Sequence, residues 1–525
     1  MSYQGQSHHP HTPGTPPNAH LIGVAAHGDR SESYIPQGLQ LVQAHWFVRH
    51  GERSPVRQRL TGFGDIPAIF PLCAIGRSFS TAVLSLTSGP TSTATPKPTA
   101  TTTTSNGSSS DATTAPRGTH PDSVPCKSHT GQLLSKRLLG IRRHTEEMGS
   151  QNTAKRGSLA DCYWGELTDL GRESTLNLGA RLRSLYVDRL GFLPETLPDV
   201  PLDQSPVFFR STGMPRTIES LHQIVEGLFP SGYREGLVDY TVRNPNDESL
   251  YPNNLCARMR QLDQISLAMA AKKYNSTLEP LDDTLIKYTK IPLRIDSSPR
   301  ANGILDTLYV CLAHSIRTPS DLSDPSTLRT LESAVVHEWF DAYSSLEFTK
   351  LSMGRLLGDL KASLLSKIAD PEETKDKLRL GIYACHDTSL GGMLNALEVF
   401  DGRWPPFTSH ISVELLRDTS TSPLPPTATR TPSPSFLSSF LPSFLLPTPS
   451  QPLSTKPHYV RLSFNAHPLH LPACSNPSSH LPGSEGTICT FEAFSKAIEK
   501  VELTGKQWEQ GCEVKKKVNL IEKVG

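Results

Sequence analysis

The stretch "LQLVQAHWFVRHGERSP", Leu39–Pro55, decides how the rest of the chain is read. Residues 39–48 are mostly apolar, aromatic or β-branched and too few for a buried helix, so they predict a strand. Directly after it come Arg49, His50, Gly51 and Arg53, a titratable ring between two fixed cations. Two other short apolar runs end the same way. "PVFF" (206–209) is followed by Arg210-Ser211-Thr212, and "LRLGIYAC" (378–385) by His386-Asp387. Each run precedes a helical pattern, set by Ile218, Leu221, Val225 and Leu228 in one case and by Leu390, Met393, Leu394 and Leu397 in the other. A further helix, with Leu178, Leu182 and Leu185 on one face, starts near Thr168. Strands alternating with helices predict an α/β fold. In open α/β sheets ligands bind outside the carboxyl ends of the strands, so the three polar clusters are expected in one crevice.

Bulk composition narrows the function classes. The chain has 525 residues, with 52 basic and 51 acidic side chains and a net charge of +1. Such a balance gives no field for nucleic acid, so anion binding must come from a local cluster. No apolar run reaches the roughly 18 residues of a transmembrane helix. The N-terminus shows neither a secretory signal nor a transit-peptide pattern, and the nine cysteines are odd in number and irregularly spaced. These features predict reduced thiols and a cytoplasmic protein, with mitochondrion as the alternative; pairing of Cys474 with Cys489 stays open. The sequons at Asn106 and Asn275 read as chance matches.

Residues 1–38 form a His-, Pro- and Gly-rich tail in which His8, His9 and His11 offer at most a weak metal site. Tracts of Ser, Thr and Pro at about 88–125 and 418–457 lack the apolar side chains to offset ordering entropy and read as disordered insertions in one domain spanning 39–525. The second lies between "SHISVELLRD" and "HYVRLSFNAHPL", which predict a β-hairpin whose turn has been replaced by about forty residues, since loop cost rises only logarithmically. Within it, Phe436, Phe440 and Phe444 recur at four-residue spacing, a small candidate contact surface that prolines keep from forming a helix. From about 230 to 350 helical patterns run without interleaved strands, which suggests a cap over one end of the sheet.

The chemistry follows from the residue types. Arg49, Arg53 and Arg210 are costly to bring together unless a multivalent anion joins them, and guanidinium forks match phosphate oxygens. An imidazole among arginines resists protonation, leaving His50 with a neutral nitrogen for nucleophilic attack. Asp387 supplies a proton for a departing alkoxide. Taken singly, Asp387 also reads as a helix cap and Arg210 as a surface cation. The sequence has no phosphate-cradling P-loop and no clear metal-ligand set.

Together "FVRHGERSP", "GELTDLGRESTLNLGARLRSLYVDRLGFLP", "FFRSTGMPRTIESL", "CHDTSLGGMLNAL", "PPFTSHISVELL" and "YVRLSFNAHPLHLPAC" resemble the successive motifs of the histidine acid phosphatases, the His-Asp branch of the histidine phosphatase superfamily. The resemblance covers most of residues 39–500. It implies a phosphoglycerate mutase-like α/β sandwich with a central mixed sheet, helices on both faces and a smaller helical cap. It implies hydrolysis of phosphate monoesters with no metal or other cofactor. His50 would be phosphorylated transiently, Arg49, Arg53 and Arg210 would hold the phosphoryl oxygens with His386 assisting, and Asp387 would protonate the leaving group. Within the family "VRNPNDESLYPNNLCARMRQ" is most similar to the type 6, lysophosphatidic acid branch, which implies a small-molecule or lysophospholipid phosphate as substrate. Gly213 departs from the Asp that many members carry after Arg-Ser-Thr. The alternatives are a phosphoglycerate-mutase-type phosphotransferase and a catalytically silent phosphate-binding module; oligomeric state is left open.

Overall fold

Strand β1 (Leu39–Arg49) is buried from Leu41 to its end, because it lies inside a sheet covered on both faces. The computed structural model describes residues 34–86, 126–127, 133–148, 154–420 and 456–514. The tail histidines, Asn106, the three phenylalanines at 436, 440 and 444 and nearly all of both low-complexity tracts lie outside these residues. Contacts divide the chain into two compact units, Met1–Ala74 with Asp161–Gly525, and Ile75–Ala160.

The smaller unit holds β2 (Ser78–Leu86), β3 (Cys126–Lys127) and β4 (Leu133–Arg142) in an antiparallel sheet of order β2-β4-β3, and the hairpin β5 (Glu146–Met148) with β6 (Ala154–Arg156). No sequence pattern announces these strands, since their apolar residues neither alternate regularly nor stay contiguous.

The larger unit continues through α1 (Asp169–Arg183), β7 (Val207–Ser211), α2 (Pro215–Leu228) and β8 (Thr241–Val242). A helical stretch follows: α3 (Ala257–Leu278), α4 (Asp282–Thr289), α5 (Ala301–Ala313), α6 (Ser320–Ser323), α7 (Pro325–Phe340) and α8 (Leu346–Ala369). The chain then returns to the sheet with β9 (Leu380–Cys385), α9 (Asp387–Ala396), β10 (His410–Asp418), β11 (His458–Phe464), β12 (His467–Pro468) and β13 (Ile488–Thr490), and closes with α10 (Phe491–Glu499) and α11 (Gly505–Cys512). Between 230 and 350 the expectation of helices alone needs one correction, because β8 is a strand there, too short to leave a periodic signal. Among the described residues no helix is long and apolar enough to cross a membrane.

The main sheet is eight-stranded and mixed, ordered β12-β11-β10-β1-β9-β7-β8, with β13 on β11. Strands β1, β9, β7 and β8 run parallel, whereas β10 is antiparallel to β1 and β11 to β10. The predicted hairpin is β10–β11, paired from Ile411 opposite Phe464 to Arg417 opposite His458. On one face Leu178 and Leu182 of α1 and Leu221, Ile224 and Leu228 of α2 pack against Leu41, Ala44, Trp46 and Val48 of β1. On the other, Leu357 and Leu360 of α8, Leu390 and Met393 of α9 and Phe494 of α10 pack against Val42 and Phe47. This is the α/β sandwich read from the sequence. Helices α3, α4, α5 and α7 share a separate core with Leu60, Ile66 and Phe70.

The expectation of reduced thiols is corrected. Among the described residues six cysteines are joined, Cys73 to Cys162, Cys256 to Cys512 and Cys474 to Cys489, with Cα separations of 5.2, 4.7 and 5.4 Å. Two of the pairs span 89 and 256 residues, so the fold sets the partners and spacing along the chain carries no signal. Cys311 and Cys385 are buried free thiols.

Several histidines are buried in the sheet as neutral rings. Burial lowers His45 to about 3, His410 to about 4 and His458 to about 4. In the unfolded chain these rings take up protons below about pH 6.5, and in the folded chain they do not until the pH is much lower. Their contribution is therefore complete above that value and is lost as the pH falls, by up to about 1.4 kcal/mol per ring and pH unit. The melting temperature is expected to fall steadily from pH 7 to 4.5; a rise on acidification contradicts the assignment of these rings as neutral.

Candidate active site

Strands β1, β9 and β7 are parallel neighbours, and their register sets their carboxyl ends level. Arg49 stands opposite Cys385, and Ser211 opposite Ala384. The ladder extends one residue further, with His50 N donating to Cys385 O at 3.0 Å and Thr212 N to Ala384 O at 3.2 Å. The three polar clusters thereby reach the same edge of the sheet.

Gly51 lets the chain turn away from β1 against α1. A Cβ there would lie 2.2 Å from Gly171 O, and one on Gly171 would lie 2.1 Å from Glu52 O, so backbone packs directly on backbone. Thr168 caps α1 by accepting from Gly171 N at 3.2 Å, and its own N and Oγ1 donate to Glu52 O at 2.9 and 3.0 Å. Ser174 Oγ donates to the Glu52 carboxylate at 2.6 Å. The "LTDLG" motif thus clamps "RHGER" in place.

His50 Nδ1 lies 2.9 Å from Gly51 O. A carbonyl only accepts, so Nδ1 carries the proton and Nε2 keeps its lone pair. The ring is 2% exposed. Its pKa is well below the ordinary histidine value, because of burial first and then the charges of Arg216, Arg49 and Arg53. His386 is lowered to about 3, by burial and then by Arg216; its Nε2 lies 3.0 Å from Thr212 Oγ1, which lies 2.7 Å from Thr217 Oγ1. The rings of His50 and His386 are 5.7 Å apart, edge to face.

Arg49 Nη2 pairs with Asp387 Oδ2 at 2.7 Å and its Nη1 donates to Pro405 O at 2.5 Å. Arg53 Nη2 pairs with Asp306 Oδ1 of α5 at 2.8 Å. Both guanidiniums lie over the ring of Phe407, at 4.2 and 5.6 Å from its centroid. Asp387 is the first residue of α9, with His386 at the cap position, so the bland reading of Asp387 as the cap itself does not hold. Burial alone would raise the Asp387 carboxyl, but Arg49, Arg53 and His386 outweigh it and keep it below the usual carboxylate range.

Arg49, His50, Arg53, His386 and Asp387 are therefore brought together, and Arg210 is not. Arg210 Nη2 pairs with Glu248 Oε1 at 2.6 Å and lies 3.4 Å from Ser249 Oγ, and both side chains of the pair are 2% exposed. The third guanidinium of the cluster is Arg216, which the motif reading passed over. It has the largest charge effect on both His50 and His386 and is itself lowered to about 10, by burial and then by Arg53. A signal for it was present: Pro215 marks the first turn of α2, so Arg216 sits at a helix N-terminus that directly follows a strand end. Phe407 and Asp306 were also missed; Phe407 lies within a quoted motif, and Asp306 carries no local sign.

Among the described residues the one grouping of metal-ligating atoms is Cys73, Cys162 and Glu166, whose sulfurs are spent in a disulfide.

The family model for the histidine phosphatase superfamily (branch 2) matches residues 40–465. A probable acid phosphatase of Schizosaccharomyces pombe is 30% identical over 482 residues, covering 88% of this chain and 92% of that protein. Lysophosphatidic acid phosphatase type 6 of Homo sapiens is 30% identical over 271 residues, so the match takes in 50% of this chain and 59% of that protein. The phytase from Citrobacter braakii superposes with a TM-score of 0.47 at 14% identity, over 91% of this chain and 100% of that one.

The two arginines separate experimentally. Arg216→Ala is expected to weaken binding of inorganic phosphate by roughly ten- to hundred-fold, the worth of a charged hydrogen-bond donor. Arg210→Ala should leave that affinity near the parent's while costing about 3–5 kcal/mol of stability, because it strands the buried Glu248 charge. Calorimetric titration and urea unfolding read the two; the reverse pattern contradicts the placement.

Proposed function

The chain belongs to branch 2 of the histidine phosphatase superfamily, and we propose that it hydrolyses phosphate monoesters by transient phosphorylation of His50. The observation that carries this reading is the tie of His50 Nδ1 to Gly51 O, which leaves Nε2 unprotonated among Arg49, Arg53 and Arg216. Those cations hold the phosphoryl oxygens. Nε2 attacks phosphorus as the bond to the ester oxygen breaks, and the departing alkoxide takes the proton of Asp387. Water then attacks the phosphohistidine, giving its proton to the Asp387 carboxylate as the P–N bond breaks. Asp387 passes that proton to the departing phosphate, which leaves as the singly charged dihydrogen anion, so that His50 is again neutral and Asp387 again ionised.

In the resting site Asp387 is ionised, so its first proton must arrive with the substrate. A phosphate monoester holds its second proton with a pKa of about 6. Binding draws Arg49 toward the phosphoryl oxygens, and Asp387, sharing that arginine and now facing a new anion, becomes the better base. The proton then passes to the carboxyl. The sign follows directly. Above about pH 6 the substrate loses the proton Asp387 needs, so kcat/KM for an alkyl phosphate falls by roughly ten-fold per pH unit. On the acid side His50 stays neutral far below the ordinary histidine range. A loss of activity centred near pH 6.5 on acidification contradicts this assignment.

Asp387→Asn separates acid catalysis from attack. Hydrolysis of an alkyl phosphate should fall by roughly 10²–10⁴-fold, and that of a nitrophenyl phosphate, whose leaving group needs no proton, by much less. Equal losses on both substrates count against Asp387 as the acid.

The substrate we assign is a lysophospholipid phosphate. Support comes from the likeness to lysophosphatidic acid phosphatase type 6 and from the segment after α2. Tyr251 of that segment stands with its ring 5.8 Å from that of His386, and Leu250 O accepts the hydroxyl of Ser389 in α9, so the segment borders the reacting centre. Met214, 36% exposed, occupies the N-cap position of α2 two residues before Arg216 and adds apolar surface. Turnover of lysophosphatidic acid above that of phytate and of a simple aryl phosphate is the expected ranking; preference for phytate overturns the assignment.

A further inference from the structure

The segment that joins α9 to β10 contains "DGRWPPFTS" (401–409), and it meets the end of β1 repeatedly. Pro405 O accepts Arg49 Nη1 at 2.5 Å, the Phe407 ring lies against the guanidiniums of Arg49 and Arg53, Ser409 O accepts Arg49 N at 2.9 Å, and Thr408 N donates to His50 O at 3.2 Å. The segment therefore sets where the Arg49 guanidinium stands, and with it the 2.7 Å pair to Asp387. Its own shape needs support. Thr408 has a φ of +58°, a conformation that a β-branched residue keeps only when its surroundings impose it. Pro405 and Pro406 have no N–H, so the amide of Trp404 is the backbone donor directly before them. Glu332 of α7 binds that amide. Its buried Oε1 accepts Trp404 N at 2.9 Å and Arg403 Nε at 3.3 Å, and Oε2 pairs with Arg403 Nη2 at 3.1 Å. Tyr309 of α5 is also hydrogen-bonded to Glu332, and the Trp404 ring lies 5.5 Å from that of Phe340 and 5.9 Å from that of Trp339, both in α7. The ion pair alone does not account for a carboxylate buried here, because Arg403 is 64% exposed and a pair with an exposed arginine contributes little.

We propose that Glu332 is a positioning residue for phosphoryl transfer: by holding the Trp404 amide it fixes Pro405 O, and through Pro405 O the Arg49 guanidinium between Asp387 and the entering phosphoryl group. The inference rests on the reading of Arg49 as a group that holds phosphoryl oxygens. It assigns the helices after β8 a part in the chemistry, since α7 reaches the reacting centre through the 401–409 segment without a side chain of its own at the phosphate.

A double-mutant cycle in the full-length protein tests this. Glu332→Ala is expected to lower kcat/KM for a soluble aryl phosphate by roughly ten- to hundred-fold, the scale on which catalysis responds to small misplacement of a reacting group, and to weaken binding of inorganic phosphate in the same direction. Made on top of Arg49→Lys, the same change should cost less than about two-fold further, because a residue that acts through Arg49 has little left to act on. Glu332→Gln, whose carbonyl still accepts Trp404 N, should retain most of the parent's activity. Arg403→Ala removes the ion pair at the surface, spares the amide bond and should stay within about two-fold of the parent. Equal losses in both Arg49 backgrounds overturn the proposal, and so does a parent background that loses nothing. A loss with Glu332→Gln or Arg403→Ala that matches Glu332→Ala also overturns it, since the charge rather than the amide bond would then be what matters. Should Glu332→Ala fail to fold, Glu332→Met keeps the side-chain volume and takes its place in the cycle, with the same outcomes deciding. Failure of the phosphatase reading would appear as absent aryl phosphate turnover by the parent, and the cycle is then decided on the affinity for inorganic phosphate, read by calorimetric titration.

Discussion

The site depends on the register of three parallel strands. Because β1, β9 and β7 pair with their carboxyl ends level, the amides of His50 and Thr212 continue the ladder to Cys385 and Ala384. The residues just beyond face one space. A one-residue slip would send each of these side chains to the opposite face of the sheet. What holds the register is burial on both faces: β1 places Trp46 and Val48 against α1 and α2, and Phe47 against α8 and α9. The apolar pattern that made the strand recognisable is thus the same feature that fixes where its end falls.

On that frame the electrostatics are local. The chain as a whole is nearly neutral, yet three guanidiniums, two helix N-termini and two neutral imidazoles share a space with the Asp387 and Asp306 carboxylates. Bringing cations together is unfavourable, and two devices limit the cost before substrate arrives. Each of Arg49 and Arg53 has a carboxylate partner at 2.7 or 2.8 Å, and both lie over the Phe407 ring. A phosphoryl group entering this space competes for arginines already oriented by those partners, so little ordering cost remains to be met on binding.

Much of this was legible in the sequence, and the residues show where legibility stops. Strand-end position identified Arg49, His50, Arg53, His386 and Asp387, because a strand end and the first turn of a helix have one geometry. The same reasoning selected Arg210, the first charged residue after "VFF", although β7 runs through Ser211 and directs that guanidinium to Glu248, 38 residues along. Choosing Arg216 required reading Pro215 as the first helical residue. The disulfides were opaque for another reason: Cys256 meets Cys512 only because α3 and α11 pack together, a long-range outcome that spacing cannot encode. The strands of Ile75–Ala160 were missed because a sheet that leaves leucines in water lacks the in-out alternation by which strands are recognised.

The central claim is that phosphate passes through His50 Nε2. The direct measurement is rapid quenching of the enzyme with a substrate radiolabelled in its phosphoryl group, followed by peptide mapping of the label. The account predicts transient, acid-labile and base-stable label on the peptide containing His50, formed at a rate no slower than turnover. Turnover at the normal rate with no covalent label at any time, or with label on another residue, would contradict it.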